Sequence, residues 1–267
     1  MRVYTPYSPI GELPSGFVQE YRIESLAGLY ADGADITGGW PDVSGSGFNL
    51  PDSGAGNRPN MRLNALGDGI MGARFNGANS FLRVAVTNAG GSDLTIYAVV
   101  YLGHVGVGIG GTVPWSLGRV GVLSNAVGCA RGIIGAASFT HGAQANNLSG
   151  AVARGGGFSA QDGLAEANSA GLFFRRAFAF RWSSRTGNWI QSMFVGDTVA
   201  MTTYGAAPPA NNFSYTNFCL GAEHNGGGAP LNFFGGDWQY FARATTAHMD
   251  HVVHNKLLQL RQQYNCY

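Results

Sequence analysis

Two pairs of acidic residues stand close enough in the sequence to suggest acid–base chemistry or a cation site. Glu20 lies four residues before Glu24, and Asp162 lies four residues before Glu166. Glycoside hydrolysis needs two carboxyl groups flanking the scissile bond, but no glutamate here alternates with a second acid along one strand. We therefore predict that both pairs are solvated and that the protein is not an enzyme and has no catalytic residues. A weak calcium site and a glycoside hydrolase, both resting on Asp162 and Glu166, remain as alternatives.

Three histidines near the end of the chain have a regular spacing that could indicate a metal site. His248, His251 and His254 recur at every third residue. On a helix this spacing rotates each side chain about 60° from the one before, and only Asp250 stands near enough in sequence to add a ligand. We predict a solvated helix face and no bound metal.

A glycine-rich segment resembles a nucleotide-binding motif by its letters alone. Residues 106–111 read Gly-Val-Gly-Ile-Gly-Gly, but Pro114 and a strand-like sequence follow where a dinucleotide site needs a helix. The GxSxG elbow of serine hydrolases is missing. The three cysteines, Cys129, Cys219 and Cys266, show no CxxC spacing and predict neither a disulfide framework nor a zinc site. We expect no cofactor, and Cys266 is the thiol that could crosslink to a neighbour.

Carbohydrate binding requires less of a sequence than catalysis does. An aromatic ring can face the apolar side of a sugar, while a few amide or carboxylate groups bond to its hydroxyls. Residues of these types fall in segments that we predict to be loops: Trp115, His141, Asn146, Asn147, His224 and Asn225. They form a candidate glycan site, and the alternative is that Trp115 caps the core while the polar residues solvate turns.

The elements that must position these residues are mainly β-strands. Apolar or alternating runs separated by Gly, Asn, Asp and Pro predict strands at Ser80–Val86, Leu94–Leu102, Arg131–Phe139, Leu172–Trp182, Trp189–Val195, Phe218–Ala222 and Phe234–Ala242. Residues 103–128 and 140–170 are rich in small and polar residues and predict long loops, which often carry binding sites. Within Leu172–Trp182 the alternation predicts one apolar face with Phe178 and Phe180 and a wetter face with Arg175 and Arg181.

The end of the chain follows a different period. From residue 246 to residue 264, apolar side chains recur at spacings of four and three and predict a helix with Thr245 or Thr246 as its N-cap. The stripe consists of Met249, Val253, Leu257, Leu260 and Tyr264. The sequence therefore predicts an all-β protein with one C-terminal α-helix that packs on a sheet.

Residues 1–25 differ from the rest of the chain because prolines alternate with aromatic residues. Pro6, Pro9 and Pro14 interrupt regular strand pairing, and exposed aromatic side chains favour contact with a partner surface. We predict an extended N-terminal arm that docks through Tyr4, Tyr7, Phe17 and Tyr21, followed by a single domain over residues 26–267. The alternative is an arm that lies on its own domain.

The amino-acid composition limits the kinds of partner that the protein can bind. The 267 residues include 42 glycines but only 12% charged residues, and the formal net charge is +1. A nucleic-acid-binding protein needs clustered basic side chains, so we expect no nucleic-acid partner.

The first residues lack the basic and apolar regions of a signal peptide. The uncharged run from Leu94 to Gly118 is long enough to span a membrane, but its proline and several glycines argue against a membrane-spanning helix. We expect synthesis and assembly in the cytoplasm and no membrane partner.

Several short motifs carry a resemblance to a known family. They are Leu29–Asp32, Trp40–Gly47, Asn57–Pro59 and Phe75–Gly77 near the start, and Leu220–Ala222, Phe233–Trp238 and the closing helix near the end. With these motifs the chain resembles the concanavalin A-like lectin/glucanase superfamily, and within it the LamG-like jelly-roll domains common in bacterial surface and phage proteins. The resemblance implies an antiparallel β-sandwich of two sheets with ligand-holding loops, but it implies no activity. The alternating Glu, Asp and Glu of its glucanase members is missing.

Together these features predict a non-enzymatic structural or accessory protein of a virion. We expect a phage capsid-decoration or tail-associated protein that docks by its arm to other virion proteins and forms a homo-oligomer. The features that favour this function are the low charge, the abundant glycine and the use of arginine in place of lysine, since Lys256 is the only lysine. The alternative is a glycan-binding module for a receptor or a host cell surface. These two functions need different surfaces, the arm for the first and the loops for the second.

Overall fold

The computed structural model describes eleven stretches of the chain. These are residues 12–86, 93–104, 112–118, 132–137, 147–153, 164–168, 175–185, 188–195, 198–204, 217–222 and 235–266. The described residues form fourteen strands and one α-helix. The strands are β1 (Phe17–Arg22), β2 (Asn60–Arg62), β3 (Gly72–Asn76), β4 (Leu82–Ala85), β5 (Leu94–His104), β6 (Thr112–Gly118), β7 (Gly132–Ala137), β8 (Asn147–Ala153), β9 (Leu164–Asn168), β10 (Arg175–Arg185), β11 (Asn188–Val195), β12 (Thr198–Tyr204), β13 (Asn217–Leu220) and β14 (Gly235–Ala244).

The strands build two antiparallel sheets. The large sheet has the order β12-β11-β10-β5-β14-β3-β2, with β1 also paired to β14, and the small sheet has the order β4-β13-β6-β7-β8-β9. Aromatic side chains join the sheets, since the Phe218 ring of β13 lies 4.5 Å from the Phe241 ring of β14 and 5.8 Å from the Tyr21 ring of β1. The predicted all-β antiparallel sandwich with one C-terminal helix is confirmed.

The C-terminal helix, α1 (Asp250–Gln263), is shorter at its start than predicted. Its N-cap is Met249 rather than a threonine. The Thr95 side chain donates a hydrogen bond to the carbonyl of Thr246 and accepts one from the amide of His248, so the preceding residues are tied to β5 and cannot begin the helix. Most of the predicted stripe is buried, but Met249 is 51% exposed. The described helix is too short and too polar to cross a membrane.

Helix α1 covers the outer face of the large sheet, and this changes the interpretation of β10. Phe178 and Phe180 are buried as predicted, but Arg175 and Arg181 on the opposite face are also buried. Arg181 is held under the helix by the carbonyl of His248 and by the carboxylate of Asp250. The face predicted to be wet is therefore a packed layer between sheet and helix.

The last part of the predicted N-terminal arm belongs to the domain. Residues 17–22 form β1, which pairs with β14 from Phe17–Ala244 to Arg22–Tyr240. Tyr21 is fully buried, and its ring packs against Trp40 and Phe241. Phe17 and Tyr21 thus serve the sandwich rather than a docking arm, while Tyr4 and Tyr7 lie outside the described residues.

The two predicted long loops contain strands. Strand β6 lies within residues 103–128, and strands β8 and β9 lie within residues 140–170. Small and polar residues did not predict strands there, but the backbone of each segment pairs with neighbours in the small sheet. Pairing partners distant in sequence decide this outcome, because β propensity depends on context.

Candidate functional site

A cleft of about 400 Å³ opens at one end of the large sheet. The strands β3, β5 and β14 meet there, because β14 pairs with both of the others. A segment of nine residues between β2 and β3, residues 63–71, forms one wall and is called here the 63–71 loop. The cleft is lined by Ala65, Leu66, Arg74, Phe75, Asn76, Tyr101, Gly235 and Gly236.

Strand register brings a row of polar and aromatic side chains to this end of the sheet. Arg175 of β10 is opposite Tyr101 of β5, Tyr101 is opposite Asp237 of β14, and Asp237 is opposite Arg74 of β3. Directly opposed residues of antiparallel strands share a face and have neighbouring side chains. The four residues therefore lie side by side on the outer face of the sheet.

A buried carboxylate holds the arginine of the cleft in place. Arg74 donates two parallel hydrogen bonds to Asp237, from Nε to Oδ1 at 2.7 Å and from Nη2 to Oδ2 at 2.6 Å. Asp237 is fully buried, whereas the Arg74 side chain is 36% exposed. The hydrogen bonds to Asp237 raise the pKa of Arg74 above its usual value, and they leave Nη1 to bond to a ligand.

The 63–71 loop is attached to the sheet by a second ion pair. Asp68 accepts a hydrogen bond of 2.6 Å from Nη1 of Arg175, which also donates to the carbonyl of Tyr264. The hydrogen bonds from Arg175 lower the pKa of Asp68. Within the loop, Ala65 donates to the carbonyl of Ile70, and Gly69 donates to Oδ1 of Asn64. The wall of the cleft is thus a compact turn held at its tip.

The arrangement of these side chains can bind a ligand. The Tyr101 ring offers an aromatic surface, and the guanidinium of Arg74 offers donors in a fixed orientation. Both oxygens of Asp237 are occupied by Arg74, so this carboxylate positions the arginine. Such a site can hold a ligand that has an apolar face and hydrogen-bond acceptors.

The residues of the predicted glycan site are not those of the cleft. Trp115 lies on β6, where its backbone pairs with Gly135 and Leu220, and Asn147 begins β8 opposite Asn168. Both belong to strands of the small sheet and not to loops. The other predicted residues, His141, Asn146, His224 and Asn225, lie outside the described residues.

The other sequence candidates also separate in space. His248 bonds through Nδ1 to the Tyr97 hydroxyl, the His254 ring packs edge-on to Phe194, and His251 is exposed. Among the residues that the structure describes, no three metal-ligating side chains come together. Glu166 lies on β9 opposite Ser149, and Asp162 is outside the described part.

The two described cysteines are buried. Cys266 is 8% exposed, and its thiol lies 3.8 Å from the carbonyl of Leu260. Burial raises the pKa of both Cys219 and Cys266 to about 12. Since disulfide exchange needs a thiolate, the suggested crosslink through Cys266 does not fit its position.

Sequence reasoning missed the cleft because its residues are far apart in the chain. Arg74 and Asp237 are separated by 163 positions. One signal was present in the sequence, since each is a charged residue inside a mostly apolar strand, and a buried charge needs a partner. Only the register of β14 identifies which charges are paired.

Comparisons with known proteins show the fold. No known protein family and no curated protein matches the sequence. Among solved structures, the Trypanosoma rangeli sialidase in complex with sialic acid matches with a TM-score of 0.60 and 14% identity over 98% of this chain and 36% of that chain. The Trypanosoma rangeli sialidase on its own matches with a TM-score of 0.57 and 16% identity over 94% of this chain and 34% of that chain.

A further match has a length closer to that of this protein. The native heptameric SAP-like pentraxin from Limulus polyphemus matches with a TM-score of 0.50 and 14% identity over 68% of this chain and 78% of that chain. This chain spans only about a third of the sialidase chains. At these identities the likeness concerns architecture alone. The chain therefore has the antiparallel sandwich architecture of the concanavalin A-like lectin/glucanase folds.

Proposed function

We propose that the protein is a non-catalytic glycan-binding module and that the cleft between β3, β5, β14 and the 63–71 loop is its binding site. The observation that carries the proposal is the pairing of an accessible aromatic ring, Tyr101, with a guanidinium held rigidly by a buried carboxylate. A ring that stacks on a sugar and donors that bond to its hydroxyls are the two requirements of such a site. A similar fold occurs in a sialidase structure that contains sialic acid.

The rigidity of Arg74 supports this function. A free arginine loses side-chain entropy when it binds a ligand, whereas Arg74 is already held by two hydrogen bonds. Its charge is balanced by Asp237, so the cleft needs no anionic ligand to neutralise it. The module would thus recognise hydroxyl groups by geometry.

Binding of a glycan library, followed by calorimetry on the best ligand, tests the proposal. We expect Tyr101→Ala to weaken binding at least about tenfold, which corresponds to about 1.4 kcal/mol. Val199→Ala, on β12 at the opposite edge of the large sheet, is the matched surface control and should bind like the wild type. If the wild type binds no glycan, or if Tyr101→Ala binds as well as the wild type, the proposal is wrong.

A structural role in a virion is a second proposal, and it rests on the sequence. The resemblance to LamG-like domains, the use of arginine almost without lysine and the aromatic residues of the first segment favour contact with other proteins. The test is the incorporation of the protein into particles with Tyr4 and Tyr7 both changed to Ala. Unchanged incorporation and a monomeric state in light scattering would count against docking through this segment.

A further inference from the structure

Gln239 is a polar side chain that is buried beside the cleft. It is fully buried, and no described residue bonds to its Nε2 or to its Oε1. Gln239 lies at an irregularity of β14, where the pairing with β5 shifts between Trp238 and Tyr240. Buried amide groups in native proteins nearly always have partners, and an exception calls for an explanation. Gln239 thus carries a cost in stability that the fold itself does not explain.

The amide of Gln239 points towards the wall of the cleft. A Cβ atom built on Gly72 would lie 2.9 Å from Gln239 Nε2, 3.0 Å from Asp237 Cβ and 3.4 Å from Ala65 Cβ. Gln239, Asp237 and Ala65 therefore surround the position that a side chain at residue 72 would occupy, and Ala65 lines the cleft. Glycine at position 72 keeps this point free of side-chain atoms. The amide of Gln239 thus lies behind Ala65, a residue of the 63–71 loop that lines the cleft.

Ile70 and Met71, at the end of the 63–71 loop, pack against the hydrophobic core. The attachments of residues 63–69 are polar and few. They are the Asp68–Arg175 pair, the bond from Leu63 to the Asp32 carboxylate at 2.9 Å and a long bond of 3.4 Å from Arg74 to the carbonyl of Ala65. Leu63 and Leu66 are 41% and 39% exposed, so they add little packing. A segment with few buried apolar contacts opens at a low cost in free energy.

We propose that Gln239 is a further ligand-binding residue, which bonds to a hydroxyl group of an uncharged glycan unit when residues 63–69 lift away from the sheet. The inference rests on the proposed glycan binding in the cleft and extends it inward. An amide can donate to and accept from the same hydroxyl-bearing ring. The described charges beside it are already paired, Arg74 with Asp237 and Arg175 with Asp68, so a carboxylate on the ligand would find no unpaired cation among them.

The test compares stability with affinity in Gln239→Met, which keeps the length of the side chain and removes both unpaired polar atoms. We expect the variant to unfold at the same or a higher denaturant concentration than the wild type while it binds its glycan about tenfold more weakly. A purely structural glutamine would not produce this opposite pair of changes. Gln262→Met, at an exposed position of α1, is the matched control and should change neither property.

A second variant and a second ligand make the test independent of one substitution. Gly72→Ala adds a methyl group next to Gln239 Nε2 and should also weaken binding, and a carboxylate-bearing analogue of the bound sugar should bind more weakly than the neutral sugar. If Tyr101→Ala weakens binding but Gln239→Met and Gly72→Ala do not, the role of Gln239 is overturned while the cleft stands. If the wild type binds no glycan, both proposals are overturned.

Discussion

At the scale of single residues, Asp42 shows how one side chain organises the start of the sandwich. Its Oδ1 accepts hydrogen bonds from the amides of Glu20 and Ser44, both at 2.9 Å, and its Oδ2 accepts one from the amide of Phe48 at 3.0 Å. The Trp40 indole donates to the carbonyl of Arg22 at 3.0 Å. The Trp40–Gly47 motif, on which the sequence resemblance partly rests, therefore ties residues 40–48 to β1 and has a structural role.

Asp42→Ala should lower the free energy of unfolding by about 2–4 kcal/mol, because three amides lose a charged acceptor. Urea denaturation followed by tryptophan fluorescence measures the change. Asp35→Ala is the control, since the exposed Asp35 carboxylate accepts one hydrogen bond, from Asn60, and exposed contacts contribute less than about 1 kcal/mol. Equal losses in the two variants would contradict the role given to Asp42.

At the scale of elements, the contact of α1 with β1 and β14 centres on a buried lysine. Lys256 is 7% exposed, and its ammonium lies 4.9 Å from the centre of the Tyr240 ring and 5.7 Å from that of Phe17. The Tyr240 hydroxyl donates to Glu20, which also pairs with Arg22. Burial lowers the pKa of Lys256 to about 8, although Glu20 opposes the effect. The charged form is therefore disfavoured in the folded protein.

This lowered pKa predicts a pH-dependent stability. In the unfolded chain lysine has a pKa of about 10.4, so the unfolded state binds more protons between about pH 8 and pH 10. The cost of burying the charge, about 3 kcal/mol, is fully present below pH 8 and disappears as the pH rises through this range. Lys256→Met should be more stable than the wild type at pH 7, and the difference should shrink towards pH 10.

Urea denaturation at several pH values from 6 to 10 measures the difference in stability between the wild type and Lys256→Met. The titration of all other groups contributes equally to both proteins and cancels in this difference. Lys256→Arg is the matched control, because arginine stays charged throughout the range and its stability relative to Lys256→Met should not change with pH. If the difference between the wild type and Lys256→Met is constant from pH 6 to pH 10, Lys256 does not have a lowered pKa.

At the scale of the whole molecule, one layer of aromatic side chains joins the two sheets. Phe218 of the small sheet packs on Tyr21 and Phe241 of the large sheet, and all three are fully buried. Neither sheet can keep its inner face buried when the other is lost. The sandwich should therefore unfold as a single cooperative unit.

Phe218→Ala should destabilise the protein by about 3–5 kcal/mol, because a large buried ring is replaced by a cavity. Circular dichroism in the far and near ultraviolet should show coincident unfolding transitions in the variant, as in the wild type. Leu29→Ala, at a position that is 65% exposed, is the control and should change stability by less than about 0.5 kcal/mol. Separate transitions for secondary and tertiary structure would show that the sheets unfold independently.

The proposed glycan site also depends on the whole molecule, because the cleft exists only where three strands and a loop meet. Its residues come from β3, β5, β14 and the 63–71 loop, which are spread over most of the chain. The N-terminal segment, by contrast, loses part of its predicted role, because β1 completes the large sheet. Binding is therefore more strongly supported than docking by the described structure.

The sequence by itself determined the fold class and the positions of half of the described strands. Alternation and turn residues act locally, so the strands at Leu94, Trp189 and Phe234 and the closing helix were predicted within a few residues of their ends. The tertiary structure alone decided that both faces of β10 are buried and which charges meet. Arg74 and Asp237 are neighbours only because β14 pairs with β3 in one register, and a register between distant strands depends on packing over the whole sandwich.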